Sequence, residues 1–123
     1  VRLGGTLFQD LRSRRHRTSH RRTLLPLKTL CVGEATRLAR LLGGRELRIN
    51  SLHNQSIDRL GEGLEVSGRD LDEIVQAVEE PRRHFLMGVQ WHPEFLIYLS
   101  RQRQLFRQLV AAARDYRAGA ART

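Results

Sequence analysis

The sequence predicts an α/β chain, and three stretches predict it. "HFLMGVQW" at residues 84 to 91 is apolar and of strand rather than helix length, which reads as a strand buried on both faces. "EATRLARLLGG" at 34 to 44 sets Ala35, Leu38, Ala39, Leu41 and Leu42 near helical spacing and stops at Gly43-Gly44. "FLIYLSRQRQLFRQLVAAARDYR" at 95 to 117 places Leu96, Leu99, Leu105, Phe106, Leu109 and Val110 on one broad face with arginines elsewhere, as a helix covering a sheet would.

The remaining elements follow in order. "VRLGGTLFQDL" reads as the tail of a helix, a Gly4-Gly5 stop and a short continuation, because glycine takes the left-handed conformation that ends helices. "RSRRHRTSHRRTLLP" is a polar loop over 12 to 26, and "LKTLCVG" alternates as a strand. "RELRINSLHNQSI" is a strand running into a polar turn. "LEVSGRDLDEIVQAVE" reads as two strands joined by a turn from Gly68 to Asp72, the second carrying β-branched Ile74, Val75 and Val78.

Composition narrows the function classes. A chain of 123 residues bounds one domain, near the lower end of what buries an α/β core. No apolar run approaches the ~20 residues of a membrane span. Residues 1 to 11 lack the apolar centre of a signal peptide, and a single cysteine excludes an internal disulfide, so a cytoplasmic protein is expected. The net charge of +9 is unevenly spread: residues 1 to 48 hold 12 Lys+Arg against 3 Asp+Glu, and the rest is balanced at 10 against 10. The excess sits in residues 12 to 22, a run that reads as a solvated loop. A nucleic-acid partner is disfavoured, since no recognition helix or aromatic stacking motif accompanies that run. No metal-spaced His/Cys cluster appears either.

The chemistry lies in "GVQWHPE", residues 88 to 94. Proline pushes His92 toward extended geometry. In an extended segment His92 and Glu94 project to the same side, where the carboxylate fixes one imidazole nitrogen and the other faces a nucleophile. The nucleophile itself is missing. Cys31, in "TLCVG", has no glycine two positions before it and so lacks the strained turn that exposes an elbow nucleophile. It reads as a buried structural thiol. His16, His20 and His84 have nothing to set them apart.

"GVQWHPE" followed by an apolar helix resembles the C-terminal signature of the class I glutamine amidotransferase-like hydrolases. "LGGTLFQDL" at 3 to 11, "NSLHNQSIDRLGEGL" at 50 to 64, "DEIVQAVE" at 72 to 79 and "FLMGVQWHPE" at 85 to 94 are together similar to one branch, the γ-glutamyl-γ-aminobutyrate hydrolase family. The resemblance implies a doubly wound, flavodoxin-like α/β sheet, here partial, with antiparallel edge strands and a C-terminal covering helix. It implies a Cys-His-Glu triad in which His92 is the base and Glu94 the orienting acid, and no metal or cofactor. Ser51, His53 and Gln55 become candidates for holding the α-amino and α-carboxylate ends of a γ-glutamyl substrate, although Asn54 stands where relatives often carry histidine.

In that family the nucleophile is a cysteine in a Gly-x-Cys-x-Gly elbow upstream of the "LGGTL" block. The expectation is therefore that residues 1 to 123 form the C-terminal portion of one such domain, without the elbow and inactive alone. Val1 is then either a GTG start or an internal residue of a longer protein. Implied partners are a small-molecule γ-glutamyl amine of polyamine or γ-aminobutyrate metabolism and a nucleophile-bearing half. Self-association through an unprotected sheet edge is also expected. The rival readings are a pseudoenzyme or one half of a split enzyme, and a glutamine amidotransferase handing ammonia to a synthase.

Overall fold

In the computed structural model the described residues are 4–10, 23–53, 55–82, 86–96 and 98–122. The basic run at 12 to 22, with His16 and His20, lies outside them, as do Val1 to Leu3, Asn54 and His84. Seven strands and two helices are described: β1 (Thr6–Phe8), β2 (Thr23–Val32), α1 (Arg37–Leu42), β3 (Glu46–Ser51), β4 (Ser56–Arg59), β5 (Glu65–Asp70), β6 (Val75–Glu79), β7 (Met87–Val89) and α2 (Ser100–Arg122), with a 3-10 turn at Pro93–Leu96. Strands β3-β2-β5-β6-β7 form one sheet and β1-β4 a second; every described pairing is antiparallel. This is a mixed α/β chain with a curled antiparallel sheet and a C-terminal helix.

β2 is longer than its sequence suggests, because Thr23 to Pro26 join the strand instead of the preceding loop. Its ladder with β3 runs from Thr23↔Ser51 to Lys28↔Ile49 with an irregularity between, and Pro26 sits in that interruption. A proline donates no ladder hydrogen bond, so a bulge is where a strand tolerates one. Beyond it the alternation is regular. Leu30 and Val32 face the core, at 0% and 4% exposure, so Cys31 between them faces outward. The expected buried thiol is thus an exposed one.

α1 forms where predicted, one turn shorter at its start. Thr36 caps it, its hydroxyl accepting from the N–H of Ala39 at 3.1 Å, and Gly43 closes it in the left-handed region at φ 66°. A second cap comes from far away: the buried carboxylate of Glu79 on β6 accepts from the N–H groups of Arg37 and Leu38 at 2.8 and 3.2 Å. A carboxylate at a helix N-terminus satisfies orphan donors and complements the dipole. Leu38 and Leu42 then reach the core with Leu47, Ile49, Trp91 and Leu96.

The β5–β6 turn falls later than Gly68 to Asp72. Gly68 stays in β5, at a bulge, where an added Cβ would lie 2.7 Å from Leu30 Cδ1. The chain reverses between Asp70 and Ile74, with Glu73 at φ 63° and Ile74 in the turn rather than the strand. Asp70 organises it, Oδ1 accepting from the N–H groups of Asp72 and Ile74 at 2.9 and 3.1 Å.

"HFLMGVQW" yields a three-residue strand at the edge of the sheet, not one buried on both faces. β7 pairs with β6 alone among the described residues, and Leu86 beside it is 38% exposed. The apolar face of α2 is also only partly covered: Leu105 is 9% exposed, whereas Leu109 and Val110 are about half exposed, at 52% and 51%. α2 packs on α1 and on the 3-10 turn.

Candidate active site

Trp91 and His92 leave β7 in opposite directions. Trp91 is driven into the core, 2% exposed, where its indole N–H donates to Gln102 Oε1 at 3.0 Å. Gln102, fully buried on α2, passes the connection on by donating from Nε2 to the carbonyl of Arg48 on β3 at 2.9 Å. A buried indole needs such a partner. His92 remains at the surface, its side chain 44% exposed.

The backbone of His92 is held by one side chain. Asn50, fully buried at the end of β3, accepts from the His92 N–H through Oδ1 at 2.8 Å and donates from Nδ2 to the His92 carbonyl at 2.9 Å. β3 and β7 occupy opposite edges of the five-stranded order, so this amide joins the two rims of the curled sheet.

Glu94 reaches His92 by a different route from the extended one expected. Pro93 opens a 3-10 turn in which the Phe95 N–H donates to the His92 carbonyl at 3.2 Å. Proline suits the first position of a helical turn, where its missing N–H has no partner to lose. The turn sets Glu94 Oε1 2.8 Å from His92 Nδ1. That hydrogen bond holds the Glu94 carboxyl below the ordinary carboxylate range, helped by its own backbone N–H and the imidazole charge and opposed by slight burial. With Nδ1 committed to the carboxylate, Nε2 points away from it, and Phe95 lies beside the ring at 5.8 Å between centroids. The geometry is that of a histidine with a fixed tautomer, suited to moving a proton at Nε2.

The candidate substrate residues follow Asn50 directly. Ser51 is 4% exposed and pairs across the sheet with Thr23. His53 Nδ1 meets the carbonyl of Gln55 at 2.8 Å and its Nε2 meets Gln76 Oε1 at 3.2 Å. Gln55 extends outward and donates to Gln9 Oε1 at 2.7 Å. Gln76 also borders a cleft of about 160 Å³ with Ile57, Gly88, Val89 and Gln90. Cys31 is remote from this end of the sheet. It pairs with Glu46, four residues from Asn50 along β3, or about 13 Å at the usual strand rise. Among the described residues no group of three or more His, Cys, Asp or Glu is placed to hold a metal ion, and no helix is long and apolar enough to cross a membrane.

Sequence reasoning passed over Asn50, Gln76 and Gln102. The signal for Gln76 was present: one amide inside the apolar run "IVQAV" has to be satisfied where it is buried.

Comparison with known proteins adds the following. The family model described as peptidase C26 matches residues 1–94. A Mycobacterium tuberculosis protein named as a glutamine amidotransferase is 41% identical over 121 residues, covering 94% of this chain and 37% of its own length. A Rickettsia prowazekii protein named as glutamine amidotransferase-like is 36% identical over 87 residues, covering 70% of this chain and 31% of that protein. The chain thus spans about a third of the length of these relatives. In structure it is similar to a Thermoplasma acidophilum protein described as one of the subunits of a GMP synthase, with a TM-score of 0.69 and 17% identity over 96% of this chain and 53% of that one.

Proposed function

The chain belongs to the peptidase C26 family, of class I glutamine amidotransferase-like proteins, and from that premise we propose that it supplies the base and orienting acid for cysteine-dependent cleavage of a γ-glutamyl amide. The observation that carries the reading is the 2.8 Å contact from His92 Nδ1 to Glu94 Oε1, which leaves Nε2 directed elsewhere. The nucleophile is proposed to come from outside these 123 residues, because Cys31 lies at the other end of β3 from the His92 tether.

In this reading a cysteine thiolate attacks the γ-carbonyl, and His92 protonates the departing nitrogen as the C–N bond breaks. His92 then takes a proton from water, whose oxygen attacks the thioester, and glutamate leaves as the thiol re-forms. Glu94 stabilises the imidazolium in both steps. Ser51 and Gln55 are proposed contacts for the α-amino and α-carboxylate groups.

Two substrate assignments share this chemistry. Glutamine, with its ammonia passed to a synthase, is favoured by the relatives' names. A γ-glutamyl amine such as γ-glutamyl-γ-aminobutyrate, hydrolysed to glutamate without transfer, is favoured by the "NSLHNQ" block. The first measurement is the intact mass of the native protein against the 14.2 kDa of this chain. The second is glutamate release from glutamine and from γ-glutamyl amines by that protein. His92→Ala is expected to lower the rate about 10²–10⁴-fold, as loss of a general base does. Unaltered hydrolysis in that variant would remove His92 from the mechanism.

A further inference from the structure

The loop between β3 and β4 carries a histidine whose two ring nitrogens both face acceptors. His53 Nδ1 lies 2.8 Å from the carbonyl oxygen of Gln55, and Nε2 lies 3.2 Å from Gln76 Oε1. A carbonyl only accepts, so Nδ1 carries a proton. Whether Nε2 does so depends on which way the Gln76 amide points, and Asp70 decides that. Gln76, fully buried, donates from Nε2 to Asp70 Oδ2 at 3.0 Å. Turned over, the amide would set oxygen against carboxylate oxygen with no proton between them. Asp70 cannot swing away to relieve this, since its Oδ1 accepts from two backbone N–H groups of its own turn. With the amide oriented this way, a neutral imidazole leaves one of its two contacts without a proton.

We infer that His53 is a positioning residue, held as a doubly protonated imidazolium by an oriented Asp70–Gln76 relay, and that this clamp fixes the loop that joins Ser51, at the end of β3, to Gln55. Asp70, 4% exposed, is the carboxylate that reaches His53 through the intervening amide. Of the other charged groups on the neighbouring strands, Lys28 on β2, beside β5, is a second buried cation at 6% exposure, and Glu79 on β6 is engaged at α1. The Arg69 guanidinium donates to the Glu73 carbonyl at 2.9 Å, Asp72 and Glu73 lie within the turn, and Asp58 on β4 accepts from Thr6 Oγ1 at 3.3 Å. Deprotonation releases either the Gln55 carbonyl or the Gln76 oxygen, so the loop loosens as pH rises. The loop's part in substrate binding rests on the γ-glutamyl reading; the protonation state of His53 does not.

The test is nitrogen NMR of the ¹⁵N-histidine-labelled chain, whose five histidines are resolved by assigning His53 through its loss in His53→Gln. Both ring nitrogens of His53 are expected to carry protons at pH 7, and its signals to move only above the ~6.5 midpoint of an ordinary histidine. Asp70→Asn keeps an oxygen for the two backbone donors and presents an NH₂ to Gln76. The Gln76 amide then turns over and offers its own NH₂ to His53 Nε2. In that variant His53 is expected to be neutral at pH 7, protonated at Nδ1 alone, with its transition moved to lower pH. Gln76→Leu removes the relay altogether and is expected to act in the same direction, which keeps the test usable if Asp70→Asn does not fold. A neutral His53 in the parent chain overturns the inference, as does an imidazolium that persists in a folded variant of either kind. Hydrolysis by the native protein is measured separately, so failure here is distinct from failure of the γ-glutamyl reading.

Discussion

The side-chain amide of Asn50 makes to His92 the two hydrogen bonds that a neighbouring strand would make, accepting from its N–H at 2.8 Å and donating to its carbonyl at 2.9 Å. The placement of the His92 backbone therefore depends on a residue 42 positions earlier in the chain.

Replacing that amide separates the two contacts. Asn50→Asp retains the acceptor and loses the donor; Asn50→Ala loses both. Amide hydrogen exchange at His92 is expected to speed up in the alanine variant far more than at Leu30, deep in the sheet. For the proposed hydrolysis by the native protein, kcat is expected to fall about 10²-fold with KM little changed, the penalty of a proposed proton-transfer group misplaced by about 1 Å. Equal exchange at His92 in parent and variant would dismiss the tether.

The Glu94 pair has a pH signature. Its folded carboxyl titrates below the unfolded value of about 4.3, so its contribution to stability is complete above that value and disappears as pH falls through the lowered folded one. Both side chains are about half exposed, at 44% and 53%, so solvent screening keeps the contribution small. Denaturation midpoints of the parent and Glu94→Gln, compared from pH 7 to pH 2, should differ by a constant amount above about pH 5 and converge below. A gap that stays constant down to pH 2 contradicts the assignment.

Gln102→Leu strands the buried Trp91 indole N–H and removes a donor from the part-buried Arg48 carbonyl. A buried group left without a partner costs about 1–3 kcal/mol, so the variant is expected to lose stability on that scale despite being more apolar. Urea denaturation followed by Trp91 fluorescence measures this directly, since the chain has one tryptophan.

Gly68→Ala is expected to destabilise by about 1–3 kcal/mol, the cost of overpacking a filled core. The new methyl would meet Leu30 Cδ1 at 2.7 Å, and Leu30 is fully buried with nowhere to retreat. Thermal unfolding of the variant at or above the parental midpoint would show that the bulge can absorb a Cβ.

The parts of the molecule legible in the sequence are those set by near neighbours. Gly43 ends α1 because a left-handed residue is needed there, and the His92 to Glu94 spacing announces a pair. The pair forms through a 3-10 turn because proline restricts the residue before it while favouring a helical turn after it. Pro26 misled in the other direction, since a bulge within β2 is set by pairing with β3 and not by local chemistry. Cys31 was misjudged because its type suggests burial while the phase of β2 turns it outward. Asn50, Gln76 and Glu79 escaped notice because their partners are distant in the chain: Asn50 and His92 are 42 positions apart, and so are Glu79 and Arg37.

The same separation governs the order in which the site assembles. His92 and Glu94 are two positions apart, and a single turn, forming within about a microsecond, brings them together. Their anchor waits until a loop of 42 positions closes, and the entropy of that closure is offset only once β2, β5 and β6 have already paired between the two rims. A chain stalled before this step would carry a formed acid–base pair with no fixed direction. Its nearest amide would exchange freely, a kinetic intermediate visible to hydrogen exchange.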